Sequence, residues 1–210
     1  MFILFPKLKM RISVFAIPAM LILLLNEGAI PFAILLFSAA FHEMGHLLAI
    51  WFLGYKIRRI DLLPMGALIV VPEGIPHQKE WKIALAGPLF SLLLALVSAI
   101  LFAFIPILPL FYGLVINLVL ALFNLLPIKL LDGGKALFCF LVSKKSGKHI
   151  GDLTAVENAE KKAERFCSAL SYICLSVFVL SAMLCLSAVG FNFGVVLLVS
   201  FLLMQLTGKL

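Results

Sequence analysis

The sequence predicts an all-α integral membrane protein of about six transmembrane helices, and three observations carry that prediction. Of the 210 residues, 64% are hydrophobic and 13% charged, with a mean hydropathy of +1.19, which is too apolar for an ordinary soluble domain. The apolar residues gather into six runs, most of them near the ~20 residues that cross a ~30 Å hydrocarbon layer. Taken as alternating spans, these runs leave every Lys and Arg in segments that can face one side of the bilayer.

The first run, 12–26, is short and contains Pro18, which a membrane helix tolerates where neighbouring groups satisfy the freed backbone. Lys7, Lys9 and Arg11 precede it as they would in a signal peptide, but no small-residue cleavage site follows, so it is read as a span. The second run covers 29–53, the third 83–105, the fourth 107–128, the fifth 168–188 and the sixth 190–208, the last two forming a C-terminal helical hairpin over 167–208. Lys56, Arg58, Arg59, Lys79 and Lys82 lie between spans two and three, Lys129 to Arg165 between four and five, and Lys209 after six. The opposite connections, around Glu27-Gly28, 105–109 and 190–192, carry no Lys or Arg. Both termini are therefore expected on the cytoplasmic face of a bacterial membrane. The net charge of +7 and pI near 9.4 follow from that bias and from attraction to an anionic inner leaflet, and no nucleic-acid partner is expected. One polytopic domain, 1–210, with a motif core at 28–142, accounts for the chain. Cys139, Cys167, Cys174 and Cys185 lack close pairing and are read as packing residues. Residues 150–166 are read as a charged helix with a solvated face leading into span five.

The second run is interrupted by His42-Glu43-Met44-Gly45-His46. On a helix, imidazoles four residues apart share a face and can both bind zinc, with the adjacent carboxylate beside a water on the metal. A lone histidine on an apolar helix is usually a satisfied interior residue. Charged groups in a span, however, cost on the order of 2.5–3.5 kcal/mol each, so ionisable residues there usually mark a functional site. The pattern points to metal-assisted hydrolysis inside a membrane.

A catalytic zinc normally has three protein ligands and an open position, so a third ligand is needed. The aspartates are Asp61, Asp132 and Asp152, and only Asp132 lies between apolar stretches. It follows Pro127 and precedes Gly133 and Gly134, which permit a tight backbone. Irregular backbone at membrane depth is allowed where it is buried in protein or lines a wet cavity. The competing reading is a solvated cytoplasmic turn. The expected metal site lies between the second and fourth spans.

The His-Glu-x-x-His pentapeptide followed by Asn124-x-x-Pro127-x-x-x-x-Asp132-Gly133 resembles the site-2 protease family of intramembrane zinc metalloproteases, most closely its six-span sporulation branch. The motifs cover about residues 10–142; the last two spans match by topology alone. The resemblance implies His42, His46 and Asp132 as zinc ligands, Glu43 as the catalytic acid/base, and Asn124 as a partner of the substrate or of the developing oxyanion. An amide in a membrane helix is also a common helix-to-helix contact. It implies a membrane-associated protein substrate, with an inactive sigma-factor precursor in the sporulation branch, and inhibition by other membrane proteins. Leu62-Leu63-Pro64-Met65-Gly66-Ala67 resembles the glycine loop after the motif helix, with Ala67 where a second Gly is common. Gly66 and the β-branched Ile69-Val70-Val71 suggest that 62–71 pairs with an unwound substrate. Ala84-Leu85-Ala86-Gly87-Pro88 resembles the small-residue start of the third span, where close helix packing is the expected role. The chain ends at Leu210, so the nucleotide-binding domain that often follows the sixth span is not expected.

The parts for serine or aspartyl intramembrane proteolysis are missing, since there is no Gly-x-Ser-Gly motif and no second membrane aspartate. Two alternatives remain. A metal transporter would place His and Glu on a membrane helix, but usually with Pro in the pentapeptide and further ligands nearby, whereas His77 and His149 fall in loops. A catalytically inactive scaffold is opposed by the intact Glu43.

Overall fold

Hydrophobic runs, glycine stops and prolines divide this chain much as expected, with a β-sheet added. The computed structural model describes residues 2–5, 10–12, 16–63, 66–71, 74–146 and 153–189. The elements in order are β1 (Phe2–Phe5), β2 (Met10–Ile12), α1 (Ala16–Glu27), α2 (Ala29–Phe52), β3 (Arg59–Leu63), β4 (Gly66–Val70), α3 (His77–Phe104), α4 (Leu108–Asn124), α5 (Asp132–Ser146) and α6 (Leu153–Val189). They form two compact units, Met1–Leu125 and Leu126–Leu210.

In the first unit, α2 packs against α3 and α4, and α3 against α4. Helix α2 stops where Gly54 takes a φ of +81°. Its N–H bonds the Trp51 carbonyl at 2.9 Å, and the Tyr55 N–H bonds the Ile50 carbonyl at 3.1 Å, closing a Schellman motif. The α2–α3 crossing depends on small residues. A Cβ at Gly45 would lie 2.6 Å from the Ala86 carbonyl oxygen, and alongside it Phe41 and Phe90 pack with centroids 5.5 Å apart. Gly45 is thus a packing requirement inside the pentapeptide. Helix α3 runs through Pro88, which removes the amide that would bond the Ala84 carbonyl. The sheet order is β1-β2-β3-β4. Strands β1 and β2 are antiparallel, with Phe2 opposite Ile12; β2 and β3 are parallel, with Met10 opposite Ile60; β3 and β4 form an antiparallel hairpin, with Arg59 opposite Val70 and Leu63 opposite Gly66.

In the second unit α5 packs on α6. Ala136, Cys139 and Val142 on α5 and Ala159, Ala163 and Cys167 on α6 are buried, a set of small and medium side chains that allows close approach. Cys139 and Cys167 thus take the packing role expected of them.

Beside apolar residues such as Ile50 and Ile83, several polar side chains are buried, and many large apolar ones are exposed. Ser38, His42, His46, Ser91, Ser98 and Asn117 are buried, whereas Leu25, Phe37, Leu89, Leu96, Phe104, Val119 and Leu122 are exposed. An apolar exterior over buried polar groups suits a lipid environment. Ala29–Phe52, His77–Phe104 and Glu157–Ser181 are long and apolar enough to cross a membrane, and α4, at 17 residues, is a shorter apolar helix.

The all-α expectation is corrected by the sheet. Its strands lie in the basic flanks of the spans, and β2 pairs with β3 across some fifty residues, a contact that no local hydrophobic period encodes. The bounds of the run at 12–26 shift as well: Ile12 belongs to β2, and α1 has 12 residues, about 18 Å. Two further elements differ. Helix α5, not foreseen as a helix, begins at Asp132, and the charged segment joins span five in one continuous α6. The sixth run, 190–208, lies outside the described residues, as do Lys7, Lys9, Pro64, Met65, His149, Asp152 and Lys209.

Candidate metal centre

His42 and His46 both lie on the buried face of α2, 5% and 8% exposed. Their Nε2 atoms are 3.3 Å apart. Two nitrogens bound at ~2.05 Å to one tetrahedral zinc would be separated by about 3.3 Å, so the pair fits that ion. Each Nδ1 is engaged by α3. His46 Nδ1 donates to the Ile83 carbonyl at 2.8 Å, and His42 Nδ1 lies 2.9 Å from Ser91 Oγ. Because a carbonyl only accepts, His46 carries its proton on Nδ1 and, when neutral, leaves the Nε2 lone pair for a ligand bond.

Ile83, Gly87 and Ser91 are spaced by four on α3 and face the histidine pair. Gly87 supplies the room: a Cβ there would collide with His46 Nε2 and lie 2.7 Å from His42 Nε2. One turn before His42, Ser38 Oγ accepts from Asn117 Nδ2 at 2.8 Å; the same amide donates to the Gly113 carbonyl at 2.8 Å, tying α4 to α2. Ser91, Gly87 and Asn117 were not singled out in sequence as site residues, and the only signal was the small-residue stretch ending in Gly87-Pro88.

The other expected residues are placed as follows. Glu43 follows His42 on α2 and is half-buried. Asn124 ends α4 and spends one amide N–H on the Leu120 carbonyl at 2.9 Å. Asp61 is held by Arg59, with Nε to Oδ2 at 2.9 Å. Asp132 belongs to the second unit, half-buried in the first turn of α5, where the helix dipole favours a carboxylate. The turn before it is tightly wound, with Leu131 N–H bonded to the Ile128 carbonyl at 2.9 Å. Gly134 is the only residue type that fits there, because a Cβ would collide with the Ile128 carbonyl oxygen. Helix α6 pins this turn. Ser171 Oγ accepts from the Lys129 backbone N–H at 2.9 Å, and Glu164 pairs with Lys129 Nζ at 2.9 Å.

Comparison with known proteins agrees with this geometry. The profile of peptidase family M50 matches residues 31–108. A zinc metalloprotease of Methanocaldococcus jannaschii is 40% identical over 124 residues, 57% of this chain and 36% of that protein. Stage IV sporulation protein FB of Bacillus subtilis is 36% identical over 126 residues, 53% of this chain and 40% of that protein. The chain thus aligns with 36–40% of the length of these curated relatives. Among solved structures, the site-2 protease from M. jannaschii superposes with a TM-score of 0.62 at 28% identity, covering 94% of this chain and 88% of that one. The matched segment 31–108 contains both the histidine pair and the α3 residues that orient it, so the likeness to peptidase family M50 falls on the site itself.

Proposed function

We propose that this protein is an intramembrane zinc metalloprotease that hydrolyses a peptide bond of a membrane-associated protein. The observation that supports this best is the buried histidine pair, with both Nε2 atoms converging and both Nδ1 atoms engaged by α3. His42, His46 and Asp132 would hold the zinc, the third ligand resting on its place in the family motif. A zinc held there would supply a Lewis acid for the scissile carbonyl and would make water a better nucleophile near neutral pH. Glu43 takes the proton of the attacking water and delivers it to the leaving amine nitrogen. The second N–H of Asn124 is assigned to the developing oxyanion. The exposed apolar faces of α2, α3 and α4 contact the lipid bilayer, with six spans and both termini on the cytoplasmic side of a bacterial membrane.

A substrate helix keeps its peptide bonds paired, so it must be unwound before water can attack. Strand β4 is suited to hold the unwound segment. Among the described residues it pairs only with β3, leaving its other edge open for an added strand. The substrate proposed is an inactive sigma-factor precursor, by likeness to the sporulation branch, with an inhibitory membrane protein as a second partner.

Co-expression with a membrane-tethered sigma-factor precursor tests this reading. Native protein should cleave it, and Glu43→Gln and Asp132→Ala should not, while both variants remain membrane-inserted. Cleavage that survives Glu43→Gln would sink the mechanism.

A further inference from the structure

Helix α6 changes character at one residue. Every charged side chain of Leu153–Val189 lies between Glu157 and Arg165, and the stretch from Phe166 to Val189 carries none, which is long enough to cross hydrocarbon. Across that boundary Lys161, Glu164, Arg165, Ser168, Ala169 and Tyr172, at spacings of three and four, share one face of the helix and line a groove of about 480 Å³. The N-terminal end of the groove is cationic. Glu164 is engaged by Lys129 Nζ at 2.9 Å, while Arg165 is exposed and makes no ion pair among the described residues. Lys161 meets Glu157 at 2.6 Å, but an exposed pair of that kind is weak and yields readily to a stronger anion. The other end is mainly apolar. Ala169 and Tyr172 are exposed there, as are the neighbouring Phe166, Ile173, Val177 and Leu180.

We propose that this groove binds one anionic glycerophospholipid, with its phosphate held by Arg165 and Lys161 and its upper acyl carbons against Tyr172. The Arg165 guanidinium offers paired donors that match phosphate oxygens, Lys161 adds a second charge one turn away, and Ser168 supplies a hydroxyl donor. Tyrosine, with an apolar ring and a polar tip, favours the level of the headgroups. Arg165 and Tyr172 are about 10 Å apart along the helix, and the polar layer on each side of a bilayer is roughly 5–8 Å deep. A lipid whose phosphate meets Arg165 therefore places its glycerol and first acyl carbons beside Tyr172. Charge and apolar surface together select the occupant. A free phosphate would use the cations and leave the apolar end uncovered, and a zwitterionic lipid would bring a cation of its own to a cationic groove. The site lies wholly within the second unit and is independent of the metal centre and of the protease reading.

The test is the lipid selectivity of the purified full chain in mixed micelles, read by native mass spectrometry as bound phosphatidylglycerol against bound phosphatidylcholine at equal concentrations. The native protein should prefer phosphatidylglycerol. Each cation near an anionic membrane surface strengthens binding about five-fold, so Arg165→Gln should lose about that much of the preference, and Arg165→Gln combined with Lys161→Gln nearly all of it. Arg165→Lys, which keeps the charge, should lose less than Arg165→Gln. Lys162→Gln removes the same charge from an exposed position outside the groove and should keep the native preference. Equal binding of the two lipids by the native chain, a preference that survives the double substitution, or an equal loss in Lys162→Gln would each overturn the proposal. Displacement of phosphatidylglycerol by an excess of inorganic phosphate would overturn it too, in favour of a site for a free anion.

Discussion

Gly87 faces the ring nitrogens of both histidines, and its hydrogen occupies the only direction in which a side chain could grow. The obstruction is the functional end of each imidazole, so relief would require moving the ligand atoms themselves. Gly87→Ala should therefore abolish zinc binding while leaving the protein inserted, which metal analysis of the purified variant would check. Glu43→Gln is expected to do the reverse. It should retain zinc and lower hydrolysis by about 10²- to 10⁴-fold, the usual contribution of a positioned acid/base, measured on the same tethered substrate. At this scale the sequence pointed to His42, Glu43 and His46 as candidates, because a helical period alone places the two imidazoles on one face. It did not disclose Ser91 or Ile83. Their contacts span 49 and 37 residues and depend on how two helices cross, and a buried serine in a span looks like any other small residue.

The turn before α5 illustrates how one element prepares another. Lys129 donates its backbone N–H to Ser171 on α6, whose own hydroxyl bonds the Cys167 carbonyl at 2.6 Å. Ser171→Ala should leave the Lys129 N–H without that partner and lower stability by about 1 kcal/mol, seen as a reduced thermal midpoint. With Asp132 as the proposed third ligand directly after this turn, zinc affinity should fall as well. The β3–β4 hairpin is the other informative element. Replacing residues 62–71 with a flexible linker of equal length should abolish cleavage while zinc binding persists, and unchanged cleavage would exclude strand pairing as the means of holding substrate. Long helices were legible because apolar composition and length suffice for them; α2 and α3 follow the expected runs closely. The sheet was not, although Ile69-Val70-Val71 carried its β-branched signal, because the strands are short and lie in basic flanks.

For the molecule as a whole, burial of polar groups among helices with apolar exteriors means that water and metal reach the centre by a restricted route. A membrane-permeant chelator should therefore abolish cleavage, and added zinc restore it. Activity that persists after verified metal removal would contradict metalloprotease chemistry. Composition and charge placement made the membrane setting readable from the sequence. The division into two compact units was not, since it depends on contacts made after the helices form.

The C-terminal end of α2 adds a scale of length. Trp51 and Phe52 are 67% and 77% exposed there, and tryptophan favours the boundary between lipid and water. His46 and His42 precede Trp51 by five and nine residues, about 8 and 14 Å along the helix. An extended chain advances about 3.3 Å per residue. A substrate of the proposed protease, drawn in from that boundary, would meet the histidines after roughly two to four residues. Under the proposed function the helix would act as a ruler, setting the bond to be cut by its distance from the edge of the bilayer.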